Sequence, residues 1–264
     1  MSRGRSTAHL RRSGFTLVEL LVVVSIIAIL VAIALPVYGK VMIRVRATAS
    51  MSNLHQLATA NLSYVADNAG YFCPAQDLKN LVRWHGARTS STGTFDPTKG
   101  FLSPYLGREG RVVTCPLFAD MIKGTASFED GTGGYGYNAT YIGGTPADFY
   151  QPIAVSQVPR PPQTVMFAST AFAKSDGLQE YPFCEPREWV DPNYQLSGEL
   201  QPSVHFRANG RAIVAWCDGH VTLEAPSQLG GTDYYEGDSK TAKIGWFGPK
   251  ENNGYWNPAY PDPR

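Results

Sequence analysis

Ser13-Gly14-Phe15-Thr16-Leu17-Val18-Glu19-Leu20-Leu21-Val22 opens an apolar run that continues to Leu35. Ahead of it, residues 1–14 carry Arg3, Arg5, His9, Arg11 and Arg12 and no acid. As a helix, the 21 residues Phe15 to Leu35 rise roughly 31 Å, which matches a hydrocarbon core of about 30 Å. Four arginines before the span hold that end in the cytoplasm, although Lys40, Arg44 and Arg46 follow it, so the remainder of the chain is expected to be exported. Glu19 is the anomaly. A carboxylate at the centre of a span costs up to about 2.5–3.5 kcal/mol, and less near its end, so its presence calls for a reason.

A secretory signal peptide also begins with basic residues, and Ala32-Ile33-Ala34 would supply a cleavage sequence. The apolar run is longer than the 7–15 residues typical of such segments and contains an acid. Read together, Gly14-Phe15-Thr16-Leu17-Val18-Glu19-Leu20 behind a basic leader, with Pro36 and Tyr38 further on, closely resembles the start of type IV prepilins and type II secretion pseudopilins, G-F-T-L-[VIL]-E-[LV]. The likeness covers about the first 65 residues. It implies that a prepilin peptidase cuts between Gly14 and Phe15 on the cytoplasmic face and N-methylates Phe15. Gly14, lacking a Cβ, suits close passage through a protease groove. By the same resemblance Glu19 reaches the freed amino group of a neighbouring subunit, and pairing the two charges in a low-dielectric core relieves both desolvation penalties. The alternative is that Glu19 only sits at the interface and snorkels.

Beyond Pro36 a helical stripe resumes. Ala47, Met51, Leu54, Ala58, Leu62 and Val65 recur at steps of three and four, with Arg46, Ser52, Asn53, Gln56 and Asn61 mostly off that face. A helix continuous from Phe15 to about Ala66 would be roughly 78 Å long. Pro36 is expected to kink it, or else to end one helix and begin another. Asp67-Asn68-Ala69-Gly70 is a stop signal, with Gly70 placed as a cap.

The full chain has 264 residues, 43% hydrophobic, ample for a packed core. Lys+Arg 23 against Asp+Glu 22 gives a net charge of +1, which excludes the broad basic surface of a nucleic-acid-binding protein. Charged residues make up only 17%, while 26 glycines and 19 prolines punctuate the rest, so short strands and ordered loops are expected after the stem. β-favouring runs fall at 111–114, 135–142, 164–168 and 212–217, and only 76–84 suggests another helix. Asp218-Gly219 between Ala212–Cys217 and His220–Glu224 reads as a hairpin with a type I′ turn. Arg207 to His220 resembles the "H-x9-DG" region of prepilin-type proteins, R-H-x-G-x-A-x-x-x-F-x-D-G-H. Ala208 stands at the family's histidine position and His205 lies three residues earlier, which favours an architectural role for the segment.

Other chemistry is sparse. Cys73, Cys115, Cys184 and Cys217 lie in the exported part, where oxidation is permitted. The pairings Cys73–Cys115 and Cys184–Cys217 are favoured over unpaired buried thiols, and the lack of a C-x-x-C argues against zinc. His205, Cys217, Asp218 and His220 form no credible metal set on a hairpin whose side chains alternate faces. Asp233, Glu236 and Asp238 offer oxygens suited to Ca²⁺, or simply a solvated acidic loop. Asn61 and Asn138 fit the glycosylation sequon. No nucleophile-elbow or zinc-protease motif occurs, and Gly133-Gly134-Tyr135-Gly136 lacks the lysine of a phosphate loop.

The expectation is a non-enzymatic, pilin-like α+β protein in four parts. These are a basic leader (1–14), a membrane and assembly helix (15–35), an amphipathic stem (36–66) and a β-rich head with long loops (67–264). It would be a single-pass inner-membrane protein with its head periplasmic or extracellular. Its partners would be copies of itself or related pilins, prepilin peptidase, the inner-membrane assembly machinery and lipid, with no resident cofactor and no nucleic acid. The rival is a membrane-anchored exported binding protein or hydrolase, its C-terminal aromatic residues gripping carbohydrate.

Overall fold

The computed structural model describes residues 16–122, 129–144, 151–191 and 195–260, apart from the side chains of Pro36, Val37 and Lys40. The chain divides into two compact units, Met1–Arg44 and Val45–Arg264. One helix, α1 (Leu17–Asp67), contributes to both and is unbroken at Pro36, so the two-helix reading is overturned. Proline still removes one donor from the ladder there.

In the first unit the described residues are the front of α1. From Leu17 to Leu35 its large side chains are exposed all round, and this stretch is long and apolar enough to cross a membrane. A helix that is apolar on every side has no single core-facing stripe.

In the second unit the rest of α1 is the spine of the core. Leu54, Leu57, Ala58 and Val65 are buried, with Ala47, Met51 and Leu62 packed beside them. The buried face is wider than the expected stripe. It also takes in Leu57, Ala60, Ser50 and Asn61. Asn61 is inside because its Oδ1 accepts the Cys73 backbone N–H at 3.0 Å, fixing the chain just after the helix. The helix stops where expected. Gly70 N–H reaches back to Val65 O at 3.0 Å, and both Ala69 and Gly70 take positive φ.

The helix packs on a four-stranded antiparallel sheet. Its strands are β1 (Tyr135–Tyr137), β2 (Val165–Ser169), β3 (Ala212–Trp216) and β4 (Val221–Glu224), in the order β4-β3-β2-β1. In register, Val214 lies opposite both Thr222 and Ala168, and Tyr137 opposite Phe167. Along β3 the side chains alternate. Ile213, Ala215 and Cys217 join the core around α1, while Ala212, Val214 and Trp216 join a second core with Val204, Phe206, Trp246, Phe247 and Trp256. Burial on both faces explains why β3 reads as an almost continuous apolar run. A three-stranded antiparallel sheet contributes to the second core, with Ile244–Phe247 between Pro226–Leu229 and Val204–His205. The protein is therefore α+β, with an N-terminal helix and a head of antiparallel sheets.

Three local expectations change. Residues 76–84 are not helical: Asp77 Oδ1 accepts the N–H groups of Leu81 (2.7 Å) and Val82 (3.1 Å), and Asn80 takes a positive φ, turning the chain into a small hairpin instead. The run 135–142 is a strand only as far as Tyr137. Asn138 then accepts the Ile142 and Gly143 N–H groups and starts a single π-helical turn, Ala139–Gly143. Residues 111–114 form no strand.

Candidate functional site

Helix α1 begins at a side-chain cap. Thr16 precedes the first helical residue and Glu19 stands three residues on. Thr16 N–H donates to Glu19 Oε2 at 2.8 Å, the Thr16 hydroxyl donates to the same oxygen at 2.7 Å, and the Glu19 N–H donates to Thr16 Oγ1 at 3.2 Å. This is a reciprocal capping box, worth about 1 kcal/mol in typical hosts. Thr16-Leu17-Val18-Glu19 carries the signal plainly, T-x-x-E before an apolar run, although Glu19 is read above only as a neighbour's partner or as a snorkelling interfacial acid. Both Thr16 bonds fall on Oε2, so Oε1 retains its capacity for another donor. Further along, Ser25 is internally satisfied, its hydroxyl donating to Leu21 O at 2.7 Å. The backbone of a helix is likewise self-satisfied, as hydrocarbon requires. Glu19 is thus the acidic group of an otherwise apolar, exposed rod.

Gly14 and Phe15 lie outside the described residues. Pro36 lies within α1, with its side chain outside them.

Residues 9–35 match the family described as "Prokaryotic N-terminal methylation motif". The N-terminal segment is type IV prepilin-like. Over 61 residues the chain is 43% identical to the type IV major pilin protein PilA of Myxococcus xanthus (strain DK1622), covering 23% of this chain and 28% of that protein. Over 109 residues it is 32% identical to the type IV major fimbrial protein FimA of Dichelobacter nodosus, covering 41% of this chain and 65% of that one. The matches thus span less than two thirds of either relative. No solved structure matches.

On the stem, a groove of about 410 Å³ runs beside α1, between Asn53, Leu57, Ala60 and Ser63 on the helix and Leu106 and Val112 on the loop opposite. Its walls mix amides, hydroxyls and aliphatic groups with the His55 imidazole and the Arg111 guanidinium, and no carboxylate is among the described lining residues.

The remaining sequence candidates are not brought together as expected. All four cysteines are free and buried, so neither expected disulfide is present. Cys184 belongs to the second core, whereas Cys217 faces α1 from the opposite side of the sheet. Cys115 Sγ donates to Ser50 Oγ at 3.2 Å, and Cys73 Sγ to Pro74 O at 3.3 Å. Burial pushes the Cys73, Cys184 and Cys217 thiols well up. Asp233 Oδ2 accepts from Ser239 N–H (3.2 Å) and hydroxyl (3.1 Å), and Asp238 Oδ1 from Thr241 N–H (2.9 Å). Glu236 sits at φ 56. Asp233 and Asp238 serve their own turns, and among the described residues no group of three or more His, Cys, Asp or Glu could hold a metal ion.

The hairpin is real but its turn differs. Gly219 N–H bonds to Trp216 O at 2.8 Å and Trp216 N–H to His220 O at 3.0 Å. Of Asp218 and Gly219, only Gly219 has positive φ, at 93°. This is a three-residue loop closed by a glycine bulge rather than a two-residue type I′ turn. Asp218 Oδ1 meets His220 Nδ1 at 2.6 Å, and the His220 ring stacks parallel to Trp216. His205 is buried away from them, edge-on to Phe118. Both sequon asparagines are fully buried. Asn138 Nδ2 donates to Val165 O and Trp256 O, which removes it as a glycan acceptor. Arg207 of the "H-x9-DG" segment donates from Nη2 to Gly134 O (2.9 Å) and Thr170 O (2.6 Å), tying three segments together as an architectural residue.

Proposed function

We propose that this chain is a membrane-anchored, pilin-like filament subunit, matured by cleavage between Gly14 and Phe15 and N-methylation of Phe15, and assembled through the front of α1. The observation that carries this reading is the exposed apolar rod Leu17–Leu35 with Glu19 in its first turn, lying within the residues 9–35 that match a methylation motif. Such a rod is stable in lipid or among copies of itself and nowhere else. Glu19 then supplies register. Beside the terminal ammonium of an adjacent subunit it is neutralised, whereas a copy offset along the axis leaves it without a cation. The head, with its two filled cores, is the presented part, and its role is structural rather than catalytic. The filament is of the type IV pilus or type II secretion kind.

Intact-mass and N-terminal analysis of the protein purified from membranes tests the maturation. The chain should start at N-methylated Phe15. A mature form that keeps the arginine-rich leader, or one cut beyond Leu35, overturns the proposal.

A further inference from the structure

A separate feature lies in the small hairpin after the helix and does not depend on whether the chain assembles. His85 is fully buried, and neither ring nitrogen has a hydrogen-bond partner among the described residues. Its ring lies 4.8 Å from that of Phe95 and 5.0 Å from that of Trp84. The same Phe95 ring carries two guanidinium groups, Arg83 at 4.8 Å and Arg88 at 4.6 Å. Phe95 thus already serves two cations, and the imidazole against it stays neutral.

Around this cluster Arg83 and Asp96 are committed elsewhere, while Arg88 Nη1 is buried without a hydrogen-bond partner among the described residues. Arg83 forms a buried pair with Glu129 from the opposing segment and donates from Nε to Asn80 Oδ1 at 2.8 Å. Arg88 Nε donates to Asn80 O at 2.9 Å, and the acids acting on Arg88 are Glu129 and Asp77. The Asp96 carboxylate, beside Phe95, is held by Thr98 and Lys99. From the other side Gly131 approaches, so that a Cβ built on it would come within 3.5 Å of His85 Nδ1, and its N–H donates at 2.8 Å to Oε2 of Glu180, a buried carboxyl that burial pushes up. Phe95 is carried on the loop 88–100, which is attached to the hairpin by three backbone bonds: Ala87 N–H to Asp96 O (3.0 Å), Asp96 N–H to Ala87 O (2.6 Å) and, at the loop's first residue, Arg88 N–H to Leu81 O (2.8 Å).

We propose that His85 is a proton-operated release for the 88–100 loop. Protonation places a third cation against Phe95, and the ring and its loop leave so that the imidazolium can reach water. Burial, then Arg83, then Arg88, all hold His85 well below the ordinary histidine value of 6.5 while the loop is closed. The sign follows. The open form binds the proton and the closed form does not, so closure is complete above the ordinary value and weakens as the pH falls below it. An exported head would meet such acid directly from its surroundings.

Hydrogen exchange read by mass spectrometry on the full chain in detergent micelles tests this. Between about pH 7 and about pH 5, opening of the 86–100 backbone should accelerate roughly tenfold after correction for intrinsic exchange chemistry. In His85→Gln the change should stay below about twofold, since no proton can be taken up. Equal acceleration in the variant, or none in the parent chain, overturns the proposal. The His85 ring proton in the unsubstituted protein gives a reading that does not rely on the variant folding. Titration at the ordinary value with the loop still protected also sinks the idea, whereas protonation that coincides with loop exchange supports it.

Discussion

Glu19 Oε2 accepts two hydrogen bonds from Thr16, one from its backbone N–H at 2.8 Å and one from its hydroxyl at 2.7 Å. Within one chain, then, the acid caps its own helix. This makes the obvious substitution, Glu19→Ala, ambiguous, because it removes the cap along with the charge. Glutamine separates the two, since it serves at the same position of a capping box but carries no charge. Glu19→Gln should insert and be processed normally, yet reduce the filament fraction that pellets from sheared cells by about tenfold, the equivalent of some 1.4 kcal/mol per contact. Thr16→Ala should do the reverse, lowering helix stability by about 1 kcal/mol with a smaller loss of filaments. A Gln variant that pellets like the parent would show that register does not need the charge.

Leu57 is 1% exposed and belongs to the core shared by α1 and the sheet, although the apolar stripe in the sequence passes it by. Truncation to alanine should destabilise the 45–264 unit by about 2–5 kcal/mol, measured by urea unfolding of the micelle-bound protein. Ala47→Ser, on the half-buried margin of the same stripe, should cost less than about 1 kcal/mol.

The contrast between these two positions explains how much was readable. The span, Glu19, the helix end at Gly70 and the strand pair on either side of Asp218-Gly219 all rest on local signals, namely hydropathy, capping residues and turn residues. Asn61 and Leu57 are buried for tertiary reasons, Asn61 because the loop after the helix folds back and its Cys73 N–H needs an acceptor, Leu57 because it packs into the core shared with the sheet. No spacing within α1 encodes that. Residues 76–84 failed differently. A helical period was present, but Asp77 offered its carboxylate to two N–H groups, and a local side-chain bond outcompeted the helix. At the candidate site the leader motif was legible from residue types alone. The Thr16–Glu19 cap was equally legible, but it was obscured by assigning Glu19 to another subunit.

The cysteines give a chemical test. Cys73, Cys115 and Cys184 are completely buried and Cys217 nearly so. Burial also raises the thiols of Cys73, Cys184 and Cys217, disfavouring the reactive thiolate. The folded protein should therefore resist a thiol reagent at neutral pH, and all four groups should react once it is denatured without reductant. Two or no reactive thiols after denaturation would mean that disulfides form during export.

Gly219 is a backbone constraint that meets the helix. It closes the hairpin at φ 93, and a Cβ built there would stand 3.2 Å from Leu62 Cδ1 on α1. Gly219→Ala should destabilise the 45–264 unit by about 1–2 kcal/mol, chiefly through the backbone, because the end of a leucine side chain can shift by a few tenths of an ångström. A double-mutant cycle with Leu62→Ala separates the two causes. Removing the leucine tip takes away the contact and leaves the dihedral untouched, so at least half of the alanine penalty should persist in that background. Should the penalty vanish instead, steric pressure on α1, and not the turn, is what demands glycine, and the hairpin would then be positioned by the helix rather than by its own geometry.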